Sequence, residues 1–132
     1  MKSIKLIIHG NPQSKSNEKL RGAHGKYIKT AKTRGYELDI KIQCRAQLPT
    51  KFQMFEKENV HMDIYYYFRD KRRTDVQNSP KSLCDALEDV IYKNDKQIVS
   101  MYQQIHYDKE QPRTEIHAYE RNYDPFKPHI GR

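Results

Sequence analysis

From Asn59 to Asp70 the chain reads NVHMDIYYYFRD, and its alternation constrains the fold more than any other stretch. In an extended chain Met62, Ile64, Tyr66 and Phe68 share one face, while Asp63, Tyr65, Tyr67 and Arg69 share the other. A strand with one apolar face needs a second layer to cover it. KSIKLIIHG predicts a similar strand, with Ile4, Leu6 and Ile8 on one face and Gly10–Pro12 ending it. Residues 11–30 are polar and basic, and they read as a long surface loop, the kind that tends to be functional. AKTRGYELDIKIQCRAQLP predicts a helix with Leu38, Ile42 and Ala46 as its apolar stripe, ended by Pro49.

A second helix is expected from Ser79 to about residue 92. Ser79 would be its N-cap, Pro80 its first residue, and Leu83, Ala86, Leu87, Val90 and Ile91 its buried stripe. QIVSMYQQIHY and RTEIHAYE come next as strands, and a turn near Lys109–Pro112 suggests that they pair as an antiparallel hairpin. The whole order implies a two-layer α+β sandwich, a mixed β-sheet with helices on one face. We expect one domain over residues 1–120 and an extended tail over 121–132.

The 132 residues carry a formal charge of +8, unevenly spread. Residues 1–51 hold twelve Lys and Arg against Glu18, Glu37 and Asp39, a net of +9 that leaves −1 for the rest. Basic surface confined to one half suggests a polyanion such as nucleic acid. A solvated face kept for solubility is the other reading. Hydrophobic content is 36% and mean hydropathy is −1.07, so the core is lean, and ten tyrosines partly make up for it.

No apolar run approaches the ~18 residues of a membrane span, and no signal peptide is visible, so a cytoplasmic protein is expected. Cys44 and Cys84 fit ordinary reduced thiols. The histidines lack HxxxH spacing and the cysteines CxxC spacing, so zinc is not expected.

The chemistry concentrates in RRTDVQNSPKS, residues 72–82. Asp75 and Gln77 are two apart and point the same way in an extended chain, as two metal ligands at a strand end would, although Gln77 is an amide. Asp95 lies beyond the second helix, which would be about 20 Å long at 1.5 Å per residue. It can meet Asp75 only if the chain folds back or a second subunit supplies it. Acids and amides flanking a helix are also common as turn formers and caps. Glu88 and Asp89 lie two or three turns down the same helix, too far to replace a missing acid at Gln77. Lys81 and Asp85 are i, i+4, so they can pair with each other, or Lys81 can point at a phosphate.

Asp75-x-Gln77-Asn78-x-x-Lys81-x-x-x-Asp85-x-Leu87, followed by VIYKNDKQI with Asn94, Asp95, Gln97 and Ile98, resembles the RusA family of Holliday-junction resolvases. That pattern is D-x-D-N-x-x-K-x-x-x-D-x-L and then D-D-x-Q-I or N-D-x-Q-I. GNPQSKSNEKLRG and KYIKTAKTRGYE are similar to the family's N-terminal basic region. The resemblance implies a homodimeric endonuclease, dependent on Mg²⁺ or Mn²⁺, that nicks four-way or other branched DNA symmetrically in recombination and repair.

Carried across, Asp75, Lys81 and Asp95 are catalytic, Asp75, Gln77 and Asp95 hold the metal, and Asn78, Asp85 and Asn94 support the site. The family has an acid where this chain has Gln77. Phosphate contacts are expected from Lys15, Arg21, Lys26, Lys29 and Lys32 in the N-terminal half, and from Arg69, Lys71, Arg72 and Arg73 beside the motif. Tyr65 and Tyr67 are candidates for base stacking. Two further readings compete: a non-catalytic or weakly active branched-DNA-binding protein of the same fold, and an RNA-binding module. The family's small members are often phage-borne.

Overall fold

The computed structural model describes residues 2–12, 19–21, 27–71, 80–122 and 124–128. Its strands are β1 (Ser3–His9), β2 (Lys19–Arg21), β3 (Tyr27–Lys29), β4 (Val60–Phe68), β5 (Ile98–Tyr107) and β6 (Arg113–Glu120). Its helices are α1 (Ala31–Gln47) and α2 (Lys81–Leu87). Four strands form a mixed sheet in the order β1-β6-β4-β5, and β2 pairs with β3 inside the basic segment expected to be a loop.

Registers place Ile4 opposite Ala118, Leu6 opposite Ile116, Ile116 opposite Ile64 and Ala118 opposite Met62, so these side chains share one face. That face packs with Ile40, Cys44, Leu83, Ala86 and Leu87 of the two helices into one core. The fold is therefore α+β, with helices covering one side of the sheet as the alternation predicts. β1 ends at Gly10, whose φ of +120° favours glycine and whose N–H donates to the Pro112 carbonyl at 3.0 Å. Cys44 and Cys84 are free and buried, and burial pushes both thiols up to about 12.

Three further expectations are corrected. First, β5 and β6 do not form a hairpin; β4 lies between them, parallel to β5 and antiparallel to β6. A hairpin would have left β4, the most apolar strand, with an open edge and a row of unpaired backbone groups. The Asp108–Pro112 turn crosses over β4 instead, and the Asp108 N–H donates to the Phe68 carbonyl at 2.8 Å.

Second, α1 buries Thr33, Ile40 and Cys44, with Tyr36 packed beside them, while Leu38 and Ile42 stand 57% and 59% exposed. The helix carries two weak apolar stripes, and polar contacts on the flanks of one of them decide between the two. Gln43 and Gln47 exchange hydrogen bonds of 2.6–3.0 Å with the backbone of His9 and Ile7, closing the free edge of β1. On the other flank the Lys41 ammonium donates to the carbonyls of Ala86 (2.9 Å) and Glu88 (3.3 Å), where a cation suits a helix C-terminus. Turning Leu38 and Ile42 inward would break both sets.

Third, α2 stops at Leu87 rather than near residue 92. Val90, Ile91 and Tyr92 are all buried, and three consecutive residues on a helix, 100° apart, cannot all face one core. Glu88 is extended (φ −62°, ψ 137°), and Asp89 takes a left-handed φ of +63°, which aspartate tolerates better than most residues. The Asp89 N–H donates to the Tyr92 carbonyl at 2.7 Å, and the Tyr92 hydroxyl donates to the Cys84 carbonyl at 2.6 Å.

Asn94 then caps a short 3₁₀ turn, Asp95–Gln97, that leads into β5. Gln97 holds this turn through all four of its amide positions. Its Oε1 accepts from the N–H groups of Lys93 (3.0 Å) and Asn94 (2.9 Å), and its Nε2 donates to the carbonyls of Phe55 (2.9 Å) and Glu58 (3.1 Å).

The segment that Gln97 reaches is also tied to the N-terminus. The Lys2 ammonium donates to Glu58 Oε2 at 2.6 Å and to the Met54 carbonyl at 3.1 Å. The Lys2 hydrogen bond, helped by backbone N–H groups, lowers the Glu58 carboxyl to about 2 from its ordinary 4.5. The folded value lies below the unfolded one, so this contribution is full above the ordinary value and fades as pH falls toward about 2. Glu58→Gln is expected to be less stable than wild type at pH 6 and equal to it near pH 2, read from urea midpoints at both pH values. Gln97→Leu leaves the four backbone partners without the amide and is expected to cost about 2–3 kcal/mol in urea denaturation.

Candidate metal centre

The reversal after α2 gathers three acids. Asp85, on the last turn of α2, Glu88, just past its end, and Asp95, in the 3₁₀ turn, each offer a carboxylate oxygen, and these lie within 4.8 Å of one another. All three residues are half-buried. The Asp95 N–H donates to Glu88 Oε2 at 3.0 Å, which fixes the Glu88 side chain against the turn. The donors are all hard oxygens, a set that suits Mg²⁺ or Mn²⁺ better than a softer ion.

Two lysines flank Asp85. Lys29, closing β3, lies 3.0 Å from Asp85 Oδ2 and 2.8 and 2.9 Å from the two Glu37 oxygens. Burial alone would lower the Lys29 pKa, but its hydrogen bonds to Glu37 and Asp85 outweigh that and raise it. Lys81, exposed in the first turn of α2, stands 3.6 Å from the same Asp85 oxygen, so the i, i+4 pair read from the sequence forms. Pro80 sits just before the helix as its cap residue rather than inside it.

Asp75, Gln77, Asn78, Ser79, Lys15, Lys26, Arg72 and Arg73, also expected at the site or on its DNA-binding surface, lie outside the described residues. The expectation that Asp95 is separated from the start of α2 by a long helix is corrected. The helix is seven residues, roughly 10 Å, and Asp95 returns to Asp85 on it. Asn94 supports the turn by accepting from the Lys96 N–H at 2.8 Å.

Arg21 closes β2. Lys32 is exposed near the start of α1, and Arg69 and Lys71 are exposed after β4, with the Arg69 N–H held by Asn11 Oδ1 at 2.8 Å. Tyr65 and Tyr67 are half-buried on the sheet face away from the helices. Tyr67 stacks on His106 at 4.8 Å and takes the Arg113 guanidinium over its ring at 3.8 Å. Tyr65 meets Tyr102 edge-on at 6.2 Å.

Glu88 is the residue that reading the sequence as one long helix missed. The signal was present in its neighbours. The run Val90-Ile91-Tyr92 is too continuously apolar for a surface helix, so a break before it should be expected.

Among curated proteins, none matches this chain by sequence. The family model of Endodeoxyribonuclease RusA matches residues 9–119, from the end of β1 to the last residues of β6, and includes every carboxylate of the cluster. By that match over most of its length, the chain belongs to the RusA endodeoxyribonuclease family.

Proposed function

We propose that this chain is a Mg²⁺-dependent endonuclease that resolves four-way DNA junctions by paired, symmetric nicks, acting as a homodimer in recombination and repair. The observation that carries this reading is the gathering of carboxylates beside Lys81 and Lys29 in a chain of an endodeoxyribonuclease family. Asp75, Gln77 and Asp95 would hold the ion. When bound, Mg²⁺ polarises the phosphoryl group and makes water a better nucleophile near neutral pH.

The chain's own groups do the rest. Asp95 is preset by the Asn94 and Gln97 bonds around its turn, so little reorganisation is needed when substrate arrives. Lys81 sits exposed at the start of α2, 3.6 Å from Asp85, and would present its ammonium to the phosphate and stabilise the charge that builds on it. Asp85 acts as its positioning partner. Lys32, Arg69 and Lys71, exposed on the described surface, together with Lys15, Arg21, Lys26, Arg72 and Arg73, bind the DNA backbone through phosphates and not through sequence. A four-way junction is nearly two-fold symmetric, so a two-fold dimer presents one site to each of two strands. We take residues 1–120 as one nuclease domain working in the cytoplasm on host, phage or prophage DNA.

Gln77 supports a second reading. An amide brings no charge to a hard cation, so a weakly active or non-catalytic junction-binding protein is the alternative. A labelled four-way junction separates the two. With Mg²⁺ the wild type is expected to give paired nicks. Asp95→Asn is expected to retain binding and to cut at least about 100-fold more slowly, in line with losing one electrostatic stabiliser. Salt-dependent binding that ignores chelator, with no cutting under Mg²⁺ or Mn²⁺, would establish the alternative instead.

A further inference from the structure

Of the three clustered acids, Asp85 is already balanced, since its Oδ2 faces the ammonium groups of both Lys29 and Lys81. Glu88 and Asp95 are not. Among the described residues no lysine, arginine or histidine lies within ion-pair distance of either carboxylate. The contact between the two residues is a backbone N–H of Asp95 on Glu88 Oε2. Two half-buried carboxylates held close together repel each other, and a cation between them would relieve that repulsion. The backbone is committed to this arrangement. A left-handed residue, Asp89, comes directly after Glu88, and Lys41 fixes the Glu88 carbonyl.

The sequence supplies a reason for it. Gln77 stands where the RusA pattern has an acid, so Asp75, Gln77 and Asp95 alone would offer a divalent ion only two negative charges. We propose that Glu88, which that pattern does not include, is a metal ligand in this chain. Paired with Asp95, it supplies a carboxylate charge that Gln77 does not bring. This rests on the metal-dependent reading above, and Asp85 serves within it to hold Lys29 and Lys81.

The test is metal binding by the full chain without DNA. Glu88→Gln keeps the oxygen that accepts the Asp95 N–H and removes only the charge. Mn²⁺ binding, followed by electron paramagnetic resonance and by calorimetry, is expected to weaken about 10-fold or more in Glu88→Gln. The metal-free variant is expected to melt at or above the wild-type temperature, because a repulsion is relieved. A purely structural Glu88 would leave the Mn²⁺ titration unchanged, and that result overturns the assignment while the metal-dependent reading stands. Wild-type protein that binds neither Mn²⁺ nor Mg²⁺ overturns both. A measurement on wild type alone does not depend on the variant folding: the side-chain carboxylate ¹³C signal of Glu88 should shift on saturable Mg²⁺ addition, and a signal that stays still rejects ligation.

Discussion

Three consecutive apolar residues, Val90, Ile91 and Tyr92, are buried together, and the acidic cluster depends on that constraint. A helix could bury one or two of them; only a chain that leaves the helix can bury all three. Once α2 ends at Leu87, Glu88 becomes an extended residue beside the turn instead of another rung on the helix. Tyr92 drives its ring into the core and returns its hydroxyl to the Cys84 carbonyl, so the reversed segment is tied to the helix it has just left. Gln97 then locks the returning chain to the segment around Phe55, whose carbonyl also accepts the Lys93 N–H. The Q of the N-D-x-Q-I pattern is thus a structural residue in this chain, and the acid two positions before it is held in place by that amide.

The parts of the fold that were legible in the sequence are those set by local alternation. β1 buries Ile4, Leu6 and Ile8, and β4 buries Met62, Ile64 and Phe68 with Tyr66 half-buried against the same core, because in a sheet covered on one side alternation sets the face. The parts that were not legible are those decided by distant partners. Hydrophobicity alone selects the wrong apolar stripe of α1, because its rotation is set by Gln43 and Gln47 on β1 and by Lys41 on α2, contacts 34 to 45 residues away in sequence. The expected pairing of β5 with β6 fails for the same reason. Adjacent strands and a short turn favour a hairpin locally, but the open edge of β4 is a global matter.

The acidic cluster was half legible. Lys81 and Asp85 pair as their spacing requires, and the N-D-x-Q-I turn forms around Asp95. Glu88 was hidden because its place beside Asp85 and Asp95 depends on where the helix ends, and a helix end is set by the burial demands of the residues beyond it. Propensity did not help, since glutamate is a good helix former. Burial of the next apolar run outweighs it: three large side chains are worth several kcal/mol in area removed from water, against a few tenths for the preference of one residue.

The uneven charge also takes on a structural meaning at this place. The basic N-terminal half meets the rest of the chain where Lys29 reaches across to Glu37 and Asp85, and Lys41 reaches the end of α2. Among the described residues, Lys29, Lys41 and Lys81 rim a group of four carboxylates, Glu37, Asp85, Glu88 and Asp95, for a formal charge of −1. A polyanion meets slight repulsion there. On the proposed reading a divalent cation adds two positive charges there, so the rim receives a phosphate better with metal than without it. A carboxylate suits that role better than a neutral ligand, because Lys29 and Lys81 already balance Asp85 and a hard divalent cation is drawn by the charge that remains.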